Sequence, residues 1–405
     1  MSAEVVITGL GVVGPHGVGF ERLRSAFAAG RALASEVDRS AGFHRPTGSR
    51  TAAMVPDVDL RAWLPAAQAR RLGRPSRFTV AAARMAMEDA DLETLEGRRA
   101  AIVLATAFGA VLFTEKLIRQ VLEEGPEAAQ PFYFSECVAN AAAGQVAIAL
   151  GARGANVTVT QRETGPLLAL ARGAHEVREG RADVALVGTA DEMTPLLHAL
   201  LDRFGATGRP VRDRDESARP FDRDRNGILA GEGATVIVLE RERDAVERGA
   251  RPIARVAACV SAFDPSATAS DWGGGHEALG RALASGLARA EVPPATIDGI
   301  VSGASGSRRG DRLDGLALRA AWDGAALPPI LVPKAVVGEY SGGVLSGAVL
   351  AMRDAAFGRI AAFTAPDPEL MIAPHDGEGR TAFRRLLLTS LAAGGAAAWI
   401  VVERP

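Results

Sequence analysis

Short runs of β-branched residues alternate with longer alanine-rich stretches of helical period along most of this chain, and that alternation is its strongest constraint. EVVITGLGVVG is followed by FERLRSAFAAG, and RADVALVGTAD by EMTPLLHALLDRFG. Strand-like runs recur at AAIVLATAF, ANVTVTQ, ATVIVLE, PIARVAACVSAF, DGIVSGA, PILVPKA and AAAWIVVE. Apolar runs of four to eight residues without polar alternation read as strands covered on both faces, and the intervening segments as the helices that cover them. The expected class is therefore α/β.

The 405 residues, 48% of them hydrophobic, suffice for a large core. The charged stretch RPVRDRDESARPFDRDRNGILAGEGA reads as a long ordered loop, because its glycines and aspartates have turn chemistry. RERDAVERGARP then leads into a second half, so the expected division is 1–250 and 251–405. The two halves share a loose pattern of strand, polar turn and small-residue helix, in ANVTVTQRETGPLLALARGA and PILVPKAVVGEYSGGVLSGAVLAM. Such a corner presents a side chain beside the free N–H groups of a helix start.

Composition excludes several functions. With 46 Lys+Arg against 48 Asp+Glu, a formal net charge of −2 offers no field for nucleic acid or an anionic membrane. No run approaches the roughly 20 apolar residues of a membrane helix. The amino terminus enters a strand pattern without the parts of a secretory signal, and a reduced, cytoplasmic setting is expected with only Cys137 and Cys259. Either cysteine is expected to be a small buried apolar residue. GLGVVGPHG lacks dinucleotide-site geometry and DRDRNG lacks the spacing of a calcium loop, so neither a dinucleotide nor a metal is expected. The six histidines, His16, His44, His175, His198, His276 and His375, single out no acid or base.

Taken in order, VVITGLGVVGPHG, MAMEDADL, FYFSECVANAAAGQVAIALGARGANVTVT, REGRADVALVGTAD and RPFDRDRNGILAGEGATVIVLE resemble the β-ketoacyl synthase family nearly end to end. The resemblance implies a thiolase-like five-layered αβαβα fold with two pseudo-symmetric halves. It also implies three catalytic side chains, a cysteine thiolate that takes up the acyl chain and two histidines that serve decarboxylation of the extender. Aligned on those motifs, the cysteine position holds Glu163, in QRETGP. The first histidine position holds Gly303, with Gly310 and Asp311 retained, and the second holds Glu339, with Lys334 and Gly338 retained. The closing segment LTSLAAGGAAAWIVVE has Leu391 and Ala393 where active members often carry gating phenylalanines.

The subfamily that this pattern resembles is the chain length factors of type II polyketide synthases, subunits without the cysteine that pair with an active ketosynthase. The implied function is a degenerate subunit shaping the partner's acyl or polyketide tunnel. It needs no cofactor of its own, and the chain arrives on the phosphopantetheine arm of an acyl carrier protein. Phe108, Val111 and Leu112 are implied tunnel residues, and Phe132, Tyr133 and Phe134 are expected in the core or the dimer interface. A second reading is an enzyme with a rebuilt site, in which Glu163, Glu339 and Lys334 perform hydrolysis, cyclisation or dehydration of a carrier-bound chain. Against it stands a closed pocket in which Lys334 and Arg162 neutralise the two glutamates. A homodimer or carrier-docking module is the third reading.

Overall fold

In the computed structural model, which describes residues 3–212, 214–378 and 382–405, an 11-stranded sheet runs through the chain. The first half contributes β1 (Val5–Gly14), β2 (Ala100–Ala105), β3 (Asn156–Val159), β4 (Val184–Asp191) and β5 (Gly233–Arg241). The second contributes β6 (Ala254–Phe263), β7 (Gly299–Ser302), β8 (Ile330–Leu331), β9 (Arg385–Leu391) and β10 (Ala396–Glu403). A two-residue strand, Gly17–Val18, pairs with β1 outside this series.

The spatial order is β8-β7-β9-β10-β6-β1-β5-β4-β2-β3. Within each half, third strand, second, fourth, fifth and first follow one another, with two parallel pairings and then two antiparallel ones. This repetition is the pseudo-symmetry. The halves join through β1 and β6, paired at Val6↔Arg255 and Ile7↔Ala254. We propose the division near residue 250 on the same topology, since the helix after β5 ends at Glu247 and β6 begins at Ala254.

Five layers follow from what covers these strands. Helices α1 (Arg74–Asp89) and α4 (Ala141–Leu150) pack on one outer face of the first half. The outer face of the second half carries α7 (His276–Arg289) and α8 (Arg308–Ala321). Between the halves lie α5 (Gly165–Arg178) and α10 (Gly343–Met352), each touching strands of both. α10 is buried along its whole length, which its GVLSGAVLAM composition permits. The close approach of helix to strand needs glycine, for a Cβ on Gly11 of β1 would lie 1.9 Å from the Ala82 carbonyl oxygen.

The loop over 204–232 carries isolated bridges and a buried anchor. Asp311, at the start of α8, accepts N–H bonds from Phe221 (3.0 Å), Ser305 (3.0 Å) and Gly306. Those bonds hold Phe221 at a φ of 60°, a left-handed conformation rare for a bulky residue. The cysteines depart from expectation, because Cys259 is exposed on β6 and Cys137 partly so at the end of a short helix. Neither sits in the packed interior. Among the described residues no helix is long and apolar enough to cross a membrane, and no cluster could hold a metal ion.

Candidate functional site

Topology places the two strand-to-helix corners at equivalent points, each after the third strand of its half. In the first, a single turn Arg162–Thr164 links β3 to α5. Arg162 takes a φ of 44° and is exposed, while Glu163 beside it turns inward. The Glu163 backbone oxygen accepts from Ser390 Oγ at 2.5 Å. Its side chain keeps a little exposed surface, yet Oε2 is shut off from solvent and has no hydrogen-bond partner among the described residues. Burial, and then the charge of Glu339, push this carboxyl up to about 7; its own backbone N–H, Lys334 and Arg162 oppose the rise.

The second corner follows β8. Lys334 opens the short helix α9 (Lys334–Val337) and has no exposed surface. Gly338, at φ 73°, then turns the chain, and a Cβ there would lie 2.6 Å from Ala53 Cβ. Glu339 N donates to the Leu229 oxygen at 2.7 Å, which fixes the residue. Its Oε1 accepts from Lys334 Nζ at 2.5 Å, while Oε2 is buried without a partner among the described residues. A third buried carboxyl, Asp314, accepts from Ser302 Oγ (2.8 Å) and Thr389 Oγ1 (2.6 Å). Burial raises it, opposed by those two hydroxyl bonds and then by Lys334.

Gly303 follows the end of β7 between these groups. Its N–H donates to the Thr389 oxygen at 2.7 Å, and a Cβ would come within 2.9 Å of that oxygen and 3.0 Å of Ser390 Oγ. A histidine at 303 would therefore displace Ser390, the residue that holds Glu163. The structure brings Glu163, Glu339, Lys334 and Gly303 together, while the expectation about their neutralisation is corrected in part. Lys334 pairs with Glu339, but Arg162 faces solvent and, among the described residues, Glu163 has no direct cation. The chemistry available to this cluster is that of a carboxylic acid, a carboxylate and an ammonium.

The other candidates lie on the segments between β2 and β3, and among the described residues β3, the outer strand of the first half, pairs with β2 alone. Phe108 precedes α2 (Val111–Glu124), and Val111 and Leu112 form its first turn. Phe132, Tyr133 and Phe134 lie on α3 (Pro131–Cys137). Phe132 and Tyr133 meet Phe113 edge-on, with ring centroids 5.3 and 5.6 Å apart, but Phe132 stays partly open to solvent and Phe134, 63% exposed, is no core residue. Phe108, Ile118, Leu122 and Ile148 are likewise exposed apolar side chains. A crevice is lined by Ser76, Ala105, Gly109, Ala139, Ala142 and Thr158, and the Thr158 hydroxyl is buried without a partner among the described residues.

Sequence reasoning passed over Asp191 and Glu192. Asp191 accepts from Thr106 Oγ1 (3.1 Å), Ala107 N (2.8 Å) and Ser341 N (3.2 Å), and so ties the segment before α2 to the corner that carries Glu339. Its signal was two consecutive acids closing an apolar strand, in ALVGTADE. Ser390 was equally silent, since its role depends on a backbone atom.

This arrangement is that of the β-ketoacyl synthase family, and residues 2–245 match the family's N-terminal domain. The chain belongs to that family. It is 29% identical to the ketoacyl synthase beta subunit of the tetracenomycin polyketide synthase of Streptomyces glaucescens, covering 91% of this chain and 90% of that protein. It is also 29% identical to the alpha subunit of the same synthase, covering 90% and 88%. The ishigamide ketosynthase/chain length factor superimposes with a TM-score of 0.87 at 29% identity over the whole of both chains. Identity is the same to alpha and beta subunits, so the site residues must discriminate.

Proposed function

We propose that this chain is a catalytically degenerate ketosynthase-like subunit, a chain length factor, that heterodimerises with an active ketosynthase and shapes its polyketide or acyl tunnel. One observation carries the reading: the three positions where a condensing enzyme needs a thiol and two imidazoles hold Glu163, Gly303 and Glu339, closed around Lys334. No carboxylate forms and transfers a thioester as a thiolate does. The Asp311 anchor, which holds the 204–232 loop to the start of α8, is retained in this reading as a framework residue.

The exposed apolar side chains between β2 and β3 supply a place for the partner. Phe134 and Leu122 are among those that a subunit of similar fold can cover. In this reading Phe108, Val111 and Leu112 are wall residues of the tunnel once the partner is seated. The growing chain sits on the partner's cysteine, delivered by a carrier protein's phosphopantetheine arm.

Co-expression with the ketosynthase of the same gene neighbourhood tests this. The expected result is a 1:1 heterodimer, with Phe108→Ala lengthening the product. A ketosynthase that makes the same product alone, with no heterodimer, would remove the reading.

A second reading has one observation in its favour, the Glu163 carboxyl poised near neutrality with Oε2 unpartnered. It is an acid acting on a carrier-bound chain in hydrolysis, cyclisation or dehydration. Loss of turnover in Glu163→Gln with assembly intact would select it.

A further inference from the structure

Helix α2 begins without a cap of its own. Its N-cap is Ala110, whose side chain accepts nothing, and the N–H of Leu112 in the first turn is left to find another acceptor. That acceptor is Glu192, just past the end of β4, whose Oε1 takes the Leu112 N–H at 2.7 Å. Glu192 is 1% exposed, and its Oε2 has no hydrogen-bond partner among the described residues.

The charges around Glu192 come from every side. Arg74 of α1 is engaged by Glu232 through both carboxylate oxygens, at 2.6 and 3.1 Å. Glu232 also takes the N–H groups of Val55 and Met193. Lys116 lies one turn along α2, and Asp191 is committed to Thr106, Ala107 and Ser341. The Arg74 guanidinium is thus used by a neighbour, and among the described residues Glu192 is left as a buried acid whose remaining oxygen is bare.

We propose that Glu192 is the positioning residue that seats α2, its ionised form holding the first turn firmly and its protonated form loosely. A carboxylate makes a charge-assisted bond to Leu112 N–H and favours the positive end of the helix. A carboxylic acid keeps an oxygen at the same place but is the weaker acceptor. Burial first, and Glu232 as a further contribution, push Glu192 up to about 7, opposed by the Leu112 N–H, Arg74 and Lys116, so both forms are populated near neutrality. In its consequence for product length the proposal rests on the tunnel reading above, because Val111 and Leu112 are the residues seated.

Hydrogen exchange of the purified full chain, corrected for intrinsic rates, separates the two ideas. Between pH 6 and 8.5 the amides of 111–115 are expected to gain about threefold to tenfold in protection. Glu192→Gln flattens that profile while keeping an acceptor, and Glu192→Ala lowers protection at every pH with α5 unchanged. A flat wild-type profile, or a slope that survives in Glu192→Gln, overturns the proposal; the Gln variant decides even where the Ala variant does not fold. A sloping profile in a chain that binds no ketosynthase upholds the role of Glu192 and removes the tunnel reading alone.

Discussion

Glu163 and Glu339 stand at equivalent corners of the two halves, and they are buried on different terms. Glu339 has a cation built in five residues earlier, Lys334, at 2.5 Å. Glu163 has a flanking arginine that points to solvent, so a proton takes the place of a counterion and its carboxyl rises to about 7. The same contrast recurs under α2, where, among the described residues, Glu232 holds Arg74 and Glu192 holds none. Equivalent backbone positions therefore fix where a carboxyl sits, while the reach of one long side chain decides whether it carries charge.

The largest break in this comparison is Lys334→Met. It strands Glu339 as a buried carboxylate without its cation, and urea unfolding is expected to show a loss of about 3–5 kcal/mol. Glu163→Gln should do the reverse at high pH. The folded-state value of Glu163 lies above its ordinary 4.5, so its contribution to stability is complete below that value and is lost as pH rises to about 7. Wild type and Glu163→Gln should match near pH 4.5. At pH 8.5 the variant should be more stable by on the order of 3 kcal/mol in pH-dependent unfolding.

A smaller effect is expected from Gly303→His, about 1–3 kcal/mol of destabilisation in thermal unfolding, since its Cβ meets the Thr389 oxygen. Restoring one histidine returns no condensing activity. Least of all, Leu122→Asp should change the isolated chain's stability by less than about 0.5 kcal/mol. The same variant should abolish co-elution with the ketosynthase in size-exclusion chromatography.

The α/β alternation was plain in the sequence because strands such as VVITGLGVVG are buried on both faces and need no polar alternation. The paired corners were legible as a loose repeat, and the structure gives that repeat its meaning as the third strand of each half. What the corners do was less legible. That Arg162 turns outward depends on a left-handed φ, which no composition rule signals at an arginine. The exposure of Phe134 was hidden for another reason: an aromatic cluster reads alike in a core and on an interface that awaits a partner. Asp191 and Glu192 escaped notice because their bonds span some 80 residues of chain to backbone N–H groups.

The central claim is that this subunit carries no acyl chain of its own. Intact-mass spectrometry of the heterodimer after incubation with an acyl carrier protein loaded with substrate measures that directly. The expected result is a stoichiometric acyl adduct on the ketosynthase and none on this chain. An adduct of equal extent on this chain, lost in Glu163→Gln, would contradict the account.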